Sequence, residues 1–177
     1  FPLGYRNKLV LHAAVDGNQA ELGYVQADNK TVLDIPACAL AVSALNERIG
    51  VLRAKPGFFR TLRDGMNVTL RHSIQDGTLW WRGKADLAAP WLTESTMLGP
   101  LHVPRGSFFQ VNPAVADRLS AYVDKVIRAS RCTAVLDLYC GVGVLALHAA
   151  RAEKQMVVGI EEDAAALRAA DHNGREL

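Results

Sequence analysis

Ala134-Val135-Leu136-Asp137-Leu138-Tyr139-Cys140-Gly141-Val142-Gly143-Val144-Leu145-Ala146-Leu147-His148-Ala149-Ala150 decides the fold. Its first five residues are a short apolar run, the pattern of a parallel strand buried on both faces. Gly141 to Ala146 then fits G-x-G-x-x-A, a turn leading from a strand into a helix. The first glycine permits the tight turn, and the second lets a ligand approach the backbone. Met156 to Ile160 reads as a second buried strand. Glu161 closes it, about 20 residues beyond the turn, where a carboxylate can accept bonds from ribose hydroxyls. Ala164 to Ala170 begin another helix. Upstream, Asn112 is an N-cap followed by Pro113, an ideal first helical residue. Val115, Leu119, Tyr122, Val123 and Val126 then line one helix face to about residue 129. Helix, strand, helix, strand, helix is the opening of a doubly wound, Rossmann-like α/β domain.

Further upstream the pattern is different. Lys8–Val15, Glu21–Val25, Thr31–Ile35, Val68–Ile74 and Thr78–Trp81 read as strands, separated by turns at Asp16-Gly17-Asn18, Asp28-Asn29, Asp64-Gly65 and Asp76-Gly77. Pro36 can open a helix on which Leu40, Ala41, Ala44, Leu45 and Ile49 recur, with Gly50 as its stop. Residues 85–107, with three prolines, look like connecting chain holding one short strand. The expected organisation is an α+β domain over 1–106 followed by the first part of a nucleotide-binding α/β domain over 107–177. Two parallel strands do not complete a doubly wound sheet, and a half-built one is expected to associate through its open edge or to be poorly ordered after about residue 130.

Composition sets the outer limits. At 177 residues and 19.2 kDa there is room for one compact domain or two small ones. Apolar residues at 50% and charged residues at 21% supply a core and argue against disorder. No run approaches the ~18 apolar residues of a membrane span, and Phe1-Pro2-Leu3-Gly4 is not a secretory leader, so a cytoplasmic setting and no membrane partner are expected. Cys38, Cys132 and Cys140 lack the spacing of a disulfide framework or zinc knuckle, and the five histidines show no ligand spacing. The net charge of +2 is mild but uneven: residues 1–105 carry 12 bases against 9 acids. Arg48, Arg53, Lys55, Arg60 and Arg63 follow one another with no acid between them. Such a run is either a solvated face or a surface for a nucleic-acid backbone. Trp80, Trp81 and Trp91 fit hairpin core or interdomain packing better than base stacking.

The glycine turn's ligand is constrained by charge. A dinucleotide seats its pyrophosphate at a helix N-terminus, where a nearby carboxylate repels it. Asp137, at the strand end, instead suits a ligand that is cationic there, such as the ammonium and sulfonium of S-adenosylmethionine. Asp137 could equally bond the turn's own amides. A nicotinamide dinucleotide-binding protein and a non-catalytic RNA-binding module are the alternatives these residues leave open.

Asp137-Leu138-Tyr139-Cys140-Gly141-Val142-Gly143, with Ser107-Phe108-Phe109-Gln110-Val111-Asn112 before it and Val158-Gly159-Ile160-Glu161 after it, resembles the RNA 5-methyluridine (uracil-C5) methyltransferases. Gly4–Lys8, Leu22-Gly23-Tyr24 and Asp34–Cys38 are similar to that family's central domain. The resemblance implies an S-adenosylmethionine-dependent enzyme that methylates carbon 5 of uridine in ribosomal or transfer RNA. It implies cofactor contacts at Gln110, Tyr139 and Glu161, alongside Asp137, Gly141 and Gly143 from the turn itself. Val144 stands where family members often carry Asn. The family's nucleophilic cysteine and its general base lie C-terminal to the second strand, so none of these residues is expected to be catalytic, Cys140 included. Some members bind a four-iron cluster through three N-terminal cysteines and a fourth that aligns with Cys38. The other three are not among these 177 residues, and a buried thiol is the expectation for Cys38.

Overall fold

The computed structural model describes residues 2–152 and 156–177 and divides the chain into two compact units, residues 1–85 and 86–177. In the first, β1 (Lys8–Asp16), β2 (Gln19–Val25), β3 (Val32–Asp34), β4 (Asn67–Ser73) and β5 (Gly77–Arg82) form one antiparallel sheet in the order β3-β2-β1-β4-β5. The β1–β2 loop is two residues long. Gly17 sits at φ +56° in its first position, as a turn matching the strands' twist requires. Alternation then sorts the side chains. Leu9, Leu11, Ala13, Leu22, Val68 and Leu70 share the inward face, where Leu9 opposes Leu70 and Leu11 opposes Val68. Helix α1 (Ser43–Ala54) covers that face with Leu45, Ile49 and Leu52, and Phe58 and Leu62 complete the core. Each such leucine withdrawn from water contributes about 2 kcal/mol.

Helix α1 corrects two expectations. It does not open at Pro36, because the backbone of residues 39–42 is already engaged: Gly4 and Arg6 donate to Ala39 and Leu40, and Val42 donates back to Arg6. The Asn46 side chain, bonded to both the N–H and the carbonyl of Cys38 at 2.9 and 3.0 Å, fixes the intervening loop. Nor does the helix stop at Gly50, which faces open space. It runs to Ala54, just ahead of Pro56.

Arg53 also departs from its expected place in a cationic surface. Its guanidinium grips Asp34 in a fork, Nη1 to Oδ1 at 3.0 Å and Nη2 to Oδ2 at 2.6 Å, and lies over the Phe59 ring. Asp34 also accepts from the Leu22 N–H at 2.8 Å. The pair therefore fastens α1 to β2 and β3. Trp80 packs against Phe58, edge to face, and belongs to the core wall.

The second unit spans residues 86–177. Residues 85–107, expected as connecting chain with one short strand, contain a hairpin of two: β6 (Leu92–Thr96) and β7 (Gly99–Val103). Its prolines fall at the ends or on the edge, where no ladder bond is lost. Then follow α2 (Pro113–Ser130), β8 (Ala134–Leu138), α3 (Val144–Ala152), β9 (Met156–Ile160) and α4 (Ala164–Glu176). Asn112 caps α2 by accepting from the Val115 N–H, as its position predicts. Strands β8 and β9 pair in parallel, Asp137 beside Gly159. They are not buried on both faces as expected: Leu136, Leu138, Val158 and Ile160 are all exposed. Helix α3 lies against the sheet, whereas nothing among the described residues covers those four side chains. Val115, Leu119, Tyr122 and Val126 of α2 form a second exposed apolar stripe. Among the described residues, no helix is long and apolar enough to cross a membrane.

Candidate cofactor site

The turn from β8 into α3 holds three consecutive alternate residues in the left-handed region: Tyr139 at φ +62°, Gly141 at +58° and Gly143 at +90°. The two glycines adopt it freely. An aromatic residue there is strained by roughly 1–3 kcal/mol, which persists only where the surroundings over-determine the backbone. Here they do. Cys140 N–H donates to the Ile160 carbonyl at 3.0 Å, and Gly141 N–H donates to Glu161 Oε2 at 2.8 Å. The other oxygen of Glu161 accepts from the Asp163 N–H, also at 2.8 Å. One carboxylate thus links the tips of both strands, and these two amides hold its carboxyl below the usual range.

Gln110, Asp137, Tyr139 and Gly141 line one cavity, walled on its apolar sides by Phe109, Leu119 and Val142. The sequence signals at 107–112 and 137–143 therefore converge in space. Glu161 lines a neighbouring hollow with Leu138, Ile160 and Glu162, and Tyr139, almost fully exposed, borders both. Gly143 borders neither. A Cβ there would meet Leu147 and Ala170 at 3.2 and 3.3 Å, so the close packing of α3 and α4 favours glycine at this position.

Asp137 is the electrostatic centre of the cavity. The Ala146 N–H, near the start of α3, favours its charged form. Its Oδ2 is buried without a hydrogen-bond partner. Burial raises the pKa of this carboxyl, the reverse of what a paired acid shows. Leaving such an acceptor unsatisfied costs about 1–3 kcal/mol, which a cationic or hydrogen-bond-donating ligand would recover. Cys140 lies under Gly159, where an added Cβ would come within 2.8 Å of its sulfur. Burial first, then the charges of Asp137 and Glu161, push this thiol up and keep it protonated, unsuited to nucleophilic attack.

Several supports were not legible in the sequence. Asp163 caps α4 by accepting from Ala165 N–H, and its second oxygen takes the Ser107 hydroxyl at 2.6 Å. An acid directly before an apolar helical run is a start signal that could have revealed the cap. Buried Asn173 accepts from His102 N–H at 2.7 Å and donates to the carbonyls of His102 and Val142 at 3.0 and 3.1 Å. It clamps β7 and α4 onto the glycine turn, and no local pattern announces it. His148 on α3 pairs with Asp124 on α2 at 3.2 Å, a contact the histidine spacing did not suggest. Cys38 is buried and its sulfur accepts the Tyr24 hydroxyl at 3.3 Å, while burial raises the tyrosine's pKa.

Comparison with known proteins bears on this site. A family model described as ribosomal protein L11 methyltransferase (PrmA) matches residues 119–176. The chain is 41% identical over 86 residues to 23S rRNA (uracil(747)-C(5))-methyltransferase RlmC of Edwardsiella ictaluri, an alignment covering 49% of this chain and 22% of the relative. The RlmC of Pectobacterium atrosepticum is 38% identical over 93 residues, 52% of this chain and 24% of the relative. Over about half of its length the chain is thus similar to RNA uracil-C5 methyltransferases. It spans less than a quarter of the length of these two RNA uracil-C5 methyltransferases. The fold is similar to that of a solved structure: the Pyrococcus abyssi tRNA (uracil-54, C5)-methyltransferase, in complex with S-adenosyl-L-homocysteine, superposes with a TM-score of 0.74 at 17% identity, over 99% of this chain and 54% of that one.

Proposed function

We propose that this chain is the cofactor-binding part, with an adjoining α+β domain, of an S-adenosylmethionine-dependent enzyme that methylates carbon 5 of uridine in RNA, in the cytoplasm. The observation that carries the proposal is the buried, unpartnered Oδ2 of Asp137 in the cavity of the glycine turn. S-adenosylmethionine, when bound, supplies an electrophilic methyl group on a sulfonium. Asp137 fits the cationic end of such a ligand and repels a pyrophosphate, which disfavours a nicotinamide dinucleotide. Gln110 supplies an amide at the same cavity, and Tyr139 a ring at its rim. Glu161 spends one lone pair of each oxygen on the backbone and retains others for ribose hydroxyls. Gly141 holds the backbone conformation that presents these groups. The nucleophile and base of the transfer are assigned to no residue of this chain.

An iron–sulfur cluster does not fit the residues present. Among the described residues no three cysteines, histidines or acids gather as a metal would need, and the Cys38 sulfur is engaged by Tyr24.

Isothermal titration of the chain with S-adenosylmethionine and with NAD tests the reading. The methyl donor is expected to bind and NAD not. Asp137→Asn is expected to weaken the donor at least about tenfold, the scale of a lost charge-assisted bond. NAD binding, or an unchanged affinity in Asp137→Asn, would contradict it.

A further inference from the structure

The first unit has a cleft of its own, between the β1–β2 turn and the short 3₁₀ turn Phe59–Thr61. Asn18, Gln19 and Arg60 line it on the polar side, Val15, Phe59 and Leu62 on the apolar side. No acid lines it. Asp64, beyond Val15, is engaged by that residue's backbone N–H at 3.1 Å. Arg60 is exposed and, unlike Arg53, forms no ion pair among the described residues. Lys55 and Arg63, also exposed, flank it on the same acid-free stretch.

We infer that this cleft holds one nucleotide of a single-stranded RNA, the phosphate on Arg60 and the base edge against the amides of Asn18 and Gln19. A free phosphate would use the guanidinium alone. The apolar wall and two neighbouring amides add what a base requires: an apolar face and groups that both donate and accept. Phe59 forms wall, not stacking platform, because its ring already carries Arg53 and abuts Phe58. The assignment rests on the RNA-directed reading above but concerns a surface separate from the cofactor cavity, since all of its residues lie in residues 1–85.

Fluorescence anisotropy of labelled oligouridine against the whole chain, over a salt series, tests it, with oligoglutamate as a second polyanion. Arg60→Ala is expected to weaken oligouridine binding about tenfold and to lower the salt slope by about 0.7, one phosphate on a single strand. Asn18→Ala should weaken binding without changing that slope. S-adenosylhomocysteine titrated into the same variants should bind as in the parent chain, so a failed cofactor site and a failed RNA cleft give different patterns. Unchanged oligouridine affinity and slope in Arg60→Ala, no binding by the parent chain, or an equal loss on oligoglutamate would overturn the assignment.

Discussion

Tyr139 shows how one residue can be placed against its own preference. Its φ of +62° suits glycine, and its ring is left in solvent at the rim of the cavity that Asp137 lines. Neither choice helps the fold, so both point to a ligand. Tyr139→Gly is expected to raise the midpoint of thermal unfolding, by the equivalent of about 1 kcal/mol, while weakening S-adenosylmethionine. Differential scanning fluorimetry with and without the cofactor reads both; a destabilised variant would show that the ring supports the fold. Asp137 follows the same logic in charge. Its carboxyl, raised by burial, favours the folded state only once protonated, so at neutral pH it opposes folding. The sequence showed which residue types gather at this turn. It could not show that Gly143 serves helix packing or that both Glu161 oxygens are bonded to backbone, because those depend on what α4 and the strand tips bring alongside.

At the scale of elements, the strands, α2 and the β8–turn–α3–β9 unit were legible because each carries its own period and its own cap or glycine. What failed was competition from a distance. Pro36 is a fair helix start until residues 4–6 take the backbone groups that a helix there would need. Arg53 is one cation in a row until Asp34 claims it. That pair makes a prediction about acid. Arg53 first, then the Leu22 amide, hold the Asp34 carboxyl below its ordinary value. A depressed folded pKa gives stability that is present above the unfolded value, about 3.9, and is lost as pH falls through the folded one. Asp34→Asn should therefore cost about 1–2 kcal/mol at neutral pH, after allowance for partial exposure, and progressively less as pH falls below about 3.9. Urea denaturation of both proteins at neutral pH and along a series into acid measures it. A cost that persists in acid would place the contribution in packing instead.

In the whole molecule, each unit has a hollow of its own. Residues 86–177 bring Gln110, Asp137, Tyr139 and Gly141 to one cavity with Glu161 in the neighbouring hollow, and residues 1–85 hold the cleft beside Arg60. Apolar faces on α2, β8 and β9 stay open among the described residues, in keeping with a chain that covers only part of its relatives. The motif residues at 107–112, 137–143 and 158–161 surround the turn because strand tips, helix start and the 107–112 segment are all tied there, by Glu161, Asp163 and Asn173. The most direct measurement is a crystal structure of this chain with S-adenosylhomocysteine. The account predicts the ligand in the cavity of Gln110 and Tyr139, with its ammonium in hydrogen-bond reach of Asp137 Oδ2. Ligand density elsewhere, or Asp137 bonded to the protein and turned from the ligand, would contradict it.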